Sequence, residues 1–335
     1  MDRRHFLAGS LGIAGWALLS TNAQAAPTSR NRRVRAAVTL PSTPDLFPPG
    51  TTRFGIFEPG APWNLDRLRS QEQLIGRTAD LVHWFHDWGS SSSSVLATGL
   101  AAVDARGSTP MVTWEPWDWE RPDDRTTHGL STIASGKHDA YITSWARAIA
   151  EFAKPVVIRF APEMNSPYAP WSTVVAGGDV FRAAWARIVG IFRSNGGTNA
   201  MWHWCPSIHY EGCHPLSDCY PGDGLVDIVG LDAYNAGDVL PWGGWTEFHE
   251  LFSPSLAVVR SFTAKPLVVG EVGCVEQGGN KASWVASMAA NAAVMDVRGI
   301  VWFNEHKEAN WRIDSSTVAT ESFRTILATE RFAAV

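Results

Sequence analysis

Two glutamates stand where short apolar runs end. Val156-Val157-Ile158-Arg159-Phe160-Ala161-Pro162 delivers Glu163 ahead of Met164 and Asn165, and Leu267-Val268-Val269-Gly270 delivers Glu271 ahead of Val272 and Gly273. A pair of carboxyl groups about 5 to 5.5 Å apart opens a glycosidic bond with retention, one as nucleophile and the other as proton donor to the leaving oxygen. Either glutamate alone is as well explained by an Arg partner or by capping of the next helix. Their company weakens that explanation for the pair. Arg159 lies inward on the run that carries Glu163, and Tyr234 ends the segment Gly230-Leu231-Asp232-Ala233-Tyr234. An Arg and a Tyr hydroxyl would hold a nucleophilic carboxylate ionised, while a drier, less charged setting raises the pKa of an acid.

The aromatic content carries the second signal. Trp numbers 17 against 5 Tyr, and many indoles fall beside carboxylates. Trp114, Trp117 and Trp119 surround Glu115 and Asp118; His86, Asp87 and Trp88 follow one run, and His203, Trp204 and His209 lie near another. Sugars offer apolar C–H faces to indoles and hydroxyls to carboxylates and imidazoles, so this interleaving suits a glycan groove. Core packing competes at each Trp. It claims about half of those inside runs, such as Trp84 and Trp202, and the helix residues Trp145, Trp185 and Trp284. His83 and His86 are three apart and point to opposite strand faces, so they share no metal. No metal or cofactor is expected, and strand-end HxH pairs typical of metal-dependent hydrolases are not visible.

From Arg53 onward, apolar runs alternate with amphipathic segments such as Tyr141 to Phe152 and Val180 to Phe192, the pattern of βα units. Eight runs are counted: Arg53 to Glu58, Leu81 to Asp87, Pro110 to Glu115, Val156 to Pro162, Met201 to Pro206, Val226 to Tyr234, Leu267 to Val272 and Gly299 to Asn304. Eight units in one chain, none with a GxGxxG turn, predict a closed (β/α)8 TIM barrel forming a single domain over residues 51–335. Chemistry then belongs at the carboxyl ends of the strands.

Arg159 to Asn165 with the trailing Trp171 resembles the Arg-x-x-His-Glu-Met-Asn segment of glycoside hydrolase family 26, a clan A barrel family of β-mannanases with some mixed-linkage glucanases and β-1,3-xylanases. Gly270-Glu271-Val272-Gly273 resembles the family's nucleophile strand, and Tyr220-Pro221-Gly222-Asp223 leading to Tyr234 its sixth-strand segment. Trp302, with Trp311-Arg312-Ile313-Asp314, resembles its closing segment. The resemblance runs from about Arg53 to Ala328. It implies Glu163 as acid/base, Glu271 as nucleophile, Tyr234 as partner of the nucleophile and Trp302 as floor of the cleavage subsite. Arg159, Asn165, Trp171, Trp114, Trp117, Trp119, His86 and Asp87 complete the candidate substrate-binding set. Pro162 stands where the family usually has His. The expected activity is retaining endo-hydrolysis of β-1,4-mannan, with mixed-linkage β-glucan or β-xylan as alternative substrates. A non-catalytic glycan-binding barrel is disfavoured by the two intact glutamates.

Composition and termini set the remaining bounds. With 45% hydrophobic and 18% charged residues the chain is too apolar for disorder, and Lys plus Arg (28) against Asp plus Glu (33) leaves no basic footprint for nucleic acid. Arg3 and Arg4 precede an apolar run from Leu7 to Leu19 that ends in Ala23-Gln24-Ala25-Ala26, a twin-arginine type signal peptide over residues 1–26. That run is shorter than the roughly 20 residues of a membrane span, so a secreted monomer without a membrane anchor is expected. Residues 27–50, rich in Arg and Pro, read as a solvated lead-in outside the fold. Cys213 and Cys219 bracket a turn-rich loop and read as a local disulfide in an oxidising compartment.

Overall fold

The computed structural model of the chain describes residues 43–89 and 93–332. The expected signal peptide and most of the lead-in lie outside the described residues. The first half of the chain contains α1 (Thr43–Leu46), β1 (Arg53–Phe57), α2 (Asp66–Ile75), β2 (Leu81–Asp87), α3 (Ser93–Asp104), β3 (Thr109–Glu115), α4 (Leu130–Ala134), α5 (Asp139–Phe152) and β4 (Val156–Phe160). The second contains α6 (Thr173–Ala176), α7 (Gly178–Ser194), β5 (Ala200–Trp204), β6 (Ile228–Val229), β7 (Asp232–Asn235), α8 (Phe248–Arg260), β8 (Leu267–Cys274), α9 (Lys281–Val294), β9 (Val297–Phe303) and α10 (Thr317–Leu327).

All strand pairs are parallel, in the order β6-β5-β4-β3-β2-β1-β9-β8-β7, and β8 also pairs with β6, which closes the sheet on itself. β6 and β7 share the sixth staff, so the architecture is a (β/α)8 barrel. The sequence pattern marks Val226 to Tyr234 as one strand; the structure interrupts it at Gly230-Leu231. A Cβ on Gly230 would lie 2.1 Å from His203 Nε2 and 2.6 Å from the Val268 carbonyl, so the backbone bends there against the barrel interior. Outside, the helices present apolar stripes at helical spacing: Ile142, Trp145, Ala146 and Ile149 on α5, and Phe181, Ala184, Trp185, Ile188, Val189 and Phe192 on α7. Among the described residues no helix is long and apolar enough to cross a membrane.

The barrel interior changes character along its axis. Leu81, Met111, Val157, Met201, Ile228, Val268 and Val301 form an apolar layer at the amino ends of the strands. Two strand positions further on, the inward residues are His83, Thr113, Arg159 and His203, all fully buried. At the carboxyl ends they are Asp87 and Glu115, also buried.

Two expectations are corrected here. The end of the lead-in belongs to the fold, because Leu46 and Phe47 pack into the apolar layer and Phe47 is fully buried. An isolated Leu-Phe pair among prolines has no period to reveal it; only the open lower end of the barrel gives it a place. Cys213 and Cys219 are free thiols, as are Cys205 and Cys274. Cys219 is buried against the Thr173 hydroxyl at 3.2 Å, while Cys213 lies 3.2 Å from His209 Nδ1, so the two sulfurs serve different neighbours.

Replacing Phe47 by Ala removes a ring from a closed apolar layer and leaves a cavity, at a cost of about 3 to 5 kcal/mol. Urea unfolding of the variant should show a lower midpoint; an unchanged midpoint would mean that Phe47 is dispensable to the barrel.

Candidate active site

The site is built upward from Arg159. Its neighbours Ile158 and Phe160 point into the helix layer, so alternation turns Arg159 inward, where it is fully buried. Nη1 donates to Glu271 Oε1 at 2.7 Å and to Thr113 Oγ1 at 2.8 Å, and Nη2 donates to Asp232. Burial and the Arg159 charge hold His83 and His203 well below the ordinary imidazole value, so both flank the guanidinium as neutral rings.

Glu271 reaches this cluster through an irregularity in β8. Val268 points inward and Val269 outward, yet Gly270 and Glu271 both face the interior before Val272 turns out, and the register against β9 shifts between Val269 and Val272. Such a bulge re-aims a side chain at a strand end. Gly270 is required beside it: a Cβ there would meet Cys205 Sγ at 2.5 Å and Asp232 Oδ1 at 2.7 Å. The second oxygen of Glu271 accepts from the Tyr234 hydroxyl at 2.7 Å. Burial and the adjacent carboxylate push the Tyr234 phenol well above its ordinary value, so it keeps the proton that it donates.

Glu163 follows β4 in a tight turn where Ala161 (φ 47°) and Glu163 (φ 50°) both occupy the left-handed region. Each such residue costs on the order of 1–3 kcal/mol and persists only under external restraint. The restraints are visible. Ala161 N donates to Trp114 O at 3.0 Å and Glu163 N to Cys205 O at 2.9 Å. The Trp171 indole donates to the Pro162 carbonyl at 2.6 Å, and the Asn165 amide exchanges hydrogen bonds with the Ser207 backbone at 3.0 Å. The half-buried Glu163 thus stands at the mouth, near enough for its charge to act on Asp232 and Tyr234.

The remaining candidates divide by strand parity. Asp87 and Glu115 are register partners at the ends of β2 and β3, and the Trp119 indole donates to Glu115 Oε2 at 2.7 Å while its backbone N donates to Asp87 at 3.2 Å. These three belong to the mouth. Trp114 does not: it points outward and stacks on Trp145 of α5 at 4.3 Å. His86, its register partner, also faces out and meets Trp145 at 4.8 Å. Trp117 is buried in the core with its indole on the Pro122 carbonyl. Trp302 packs on Phe323 of α10 at 4.6 Å rather than flooring a subsite. Asn165 and Trp171 are buried, with their polar atoms engaged by the backbone, so they shape the Glu163 turn instead of facing a ligand.

Phe303 and Trp311, rather than Trp302, pack against Tyr234, with rings 5.7 and 4.9 Å from its ring. Parity carried the signal for Phe303, since outward Trp302 requires an inward neighbour. The same argument from Tyr234 would have found Asp232, two residues earlier on the same face. Among the described residues no group of His, Cys, Asp and Glu is arranged to hold a metal ion.

Comparison with known proteins gives the family and the fold. A model of glycosyl hydrolase family 26 matches residues 117–291, just over half of the chain. Endoglucanase H of Acetivibrio thermocellus is 36% identical over 267 residues, which span 77% of this chain and 28% of that protein's length. The GH26 β-mannanase BoMan26A of Bacteroides ovatus has the same fold, with TM-score 0.61 and 16% identity over 84% of this chain and 90% of that one. The GH26 domain of the Prevotella bryantii endo-β-mannanase/endo-β-glucanase PbGH26-GH5A gives TM-score 0.63 and 14% identity, covering 86% and 92%. The chain therefore belongs to glycosyl hydrolase family 26 and is a glycoside hydrolase built on a (β/α)8 barrel.

Proposed function

We propose that the protein is a retaining endo-β-glycanase acting on a β-glucan backbone, with Glu271 as nucleophile and Glu163 as acid/base. One observation carries the assignment of roles: both oxygens of Glu271 accept hydrogen bonds, from Arg159 and from Tyr234. Two donors, one on each oxygen, fix the orientation of the carboxyl group toward the barrel mouth. Glu163 sits in a strained turn at the rim, suited to a group that exchanges a proton with substrate and water.

The reaction runs in two displacements. A Glu271 oxygen attacks the anomeric carbon as the bond to the leaving oxygen breaks, and Glu163 gives that oxygen its proton. The Glu163 carboxylate then takes a proton from water, the water oxygen attacks the anomeric carbon, and Glu271 departs as carboxylate.

Two observations favour glucan: the 36% identity to an endoglucanase, and Pro162 beside the acid where the mannanase-rich family usually has His. Endoglucanase H is matched over only 28% of its length, so its activity is carried here as a proposal. β-1,4-Mannan is the second reading, favoured by the likeness to mannanase structures. Mixed-linkage glucan and β-xylan remain within the same mechanism. Export is proposed from the twin arginine and apolar run in residues 1–26.

Glu163→Ala should slow polysaccharide hydrolysis by about 10²- to 10⁴-fold while sparing glycosylation by aryl glycosides with very good leaving groups, which depart without a proton. Equal losses on both substrate types would remove Glu163 from the role. Incubation with barley β-glucan, cellulose oligosaccharides, mannan, glucomannan and β-1,3-xylan, followed by product chromatography, addresses the backbone. Oligosaccharides from glucans are expected; release from mannan alone would overturn the glucan reading and leave the mechanism standing.

A further inference from the structure

Glu115 is a buried carboxyl at the mouth that neither displacement uses. It ends β3 with Trp114 turned outward onto α5, so it points inward, in step with Thr113 two residues below. Thr113 touches Arg159, which touches Glu271. One strand repeat of about 6 to 7 Å lifts Glu115 from that level to where a sugar bound beside Glu271 would lie.

Its surroundings set its chemistry. The charged groups facing it are Glu271 from β8, Asp87 from β2 and Lys307 from the segment after β9, and among the described residues no arginine pairs with it. Burial, offset in part by the Trp119 hydrogen bond and reinforced by the Glu271 charge, pushes its carboxyl up to about 7. Among the described residues its only hydrogen bond is the one from the Trp119 indole to Oε2, which leaves the other oxygen without a protein partner. Trp119 itself is half-buried at the rim, with an apolar face beside the carboxyl.

We propose that Glu115 is a substrate-binding residue that donates a hydrogen bond from its carboxyl to a hydroxyl of the sugar on the Glu271 side of the cleaved bond, with Trp119 as the apolar platform beside it. This rests on the two-glutamate reading of the site. A neutral carboxyl both accepts from the indole and donates to the ligand, which a carboxylate cannot do. Losing the proton would also set a second negative charge against Glu271.

The test measures KM and kcat for wild type, Glu115→Gln and Glu115→Ala between pH 5 and 9, on whichever β-glycan the wild type cleaves. Gln keeps the acceptor for Trp119 and supplies an N–H in place of the acid proton. Wild-type KM should rise as pH passes about 7, while Glu115→Gln should stay within a few fold of the low-pH wild type and show no such rise. Glu115→Ala should raise KM about tenfold or more with little change in kcat. A wild-type KM flat through pH 7, or a Gln variant impaired tenfold, overturns the proposal even if the Ala variant fails to fold. An Ala variant with normal KM overturns it as well. Absence of wild-type turnover on every β-glycan overturns the two-glutamate reading along with it, so the two failures are distinct.

Discussion

The guanidinium of Arg159 is removed from solvent and bonded to Asp232, Glu271 and Thr113. A charge taken out of water is tolerated only with partners of opposite sign and satisfied hydrogen bonds, and breaking a buried pair by deleting one member costs about 3 to 5 kcal/mol. The local departures from regular barrel geometry can be understood from that requirement. The bulge in β8 swings Glu271 onto the guanidinium, and Gly270 leaves room for it. The break at Gly230 separates β6 from β7, and Asp232 opens the second segment. His83 and His203 are held neutral in the same layer, where a further cation would be repelled.

The arrangement sacrifices stability for function in identifiable places. An all-apolar interior like the layer around Phe47 would be cheaper to bury than two imidazoles, a guanidinium and several carboxyls. Glu115 illustrates the sign of the penalty. Its carboxyl, raised from 4.5 to about 7, is held protonated in the fold while the unfolded chain releases the proton first. Folding stability therefore declines as pH rises from about 4.5 to about 7 through this group. The two left-handed residues around Pro162 add a backbone cost, met by the hydrogen bonds from Trp171 and Asn165 that keep the turn in place.

Much of this was legible in the sequence because a barrel strand is short and buried on both sides. Runs such as Leu81 to Asp87 announce themselves, and the last residues of each run mark the mouth. What periodicity could not supply is direction after an irregularity. Counting by twos along β8 from Val268 turns Glu271 outward; only the bulge brings it in. Aromatic richness misled for a related reason, since Trp114 and Trp302 are adjacent to inward residues yet fill the space between barrel and helices. Asn165 and Trp171 lie in the right segment but act on its backbone, a distinction that composition does not encode. Phe47 and the free thiols at Cys213 and Cys219 depended on where distant segments came to rest.

The central claim is that Glu271, oriented by Arg159 and Tyr234, forms a covalent bond to the sugar. Incubation with a 2-deoxy-2-fluoro-β-cellobiosyl donor carrying a good leaving group slows breakdown of such an intermediate, so that intact mass and peptide mapping can locate it. A single added glycosyl unit on the peptide containing Glu271 is the expected result. Labelling of a different carboxyl group, or release of an inverted product with no adduct, would contradict the account.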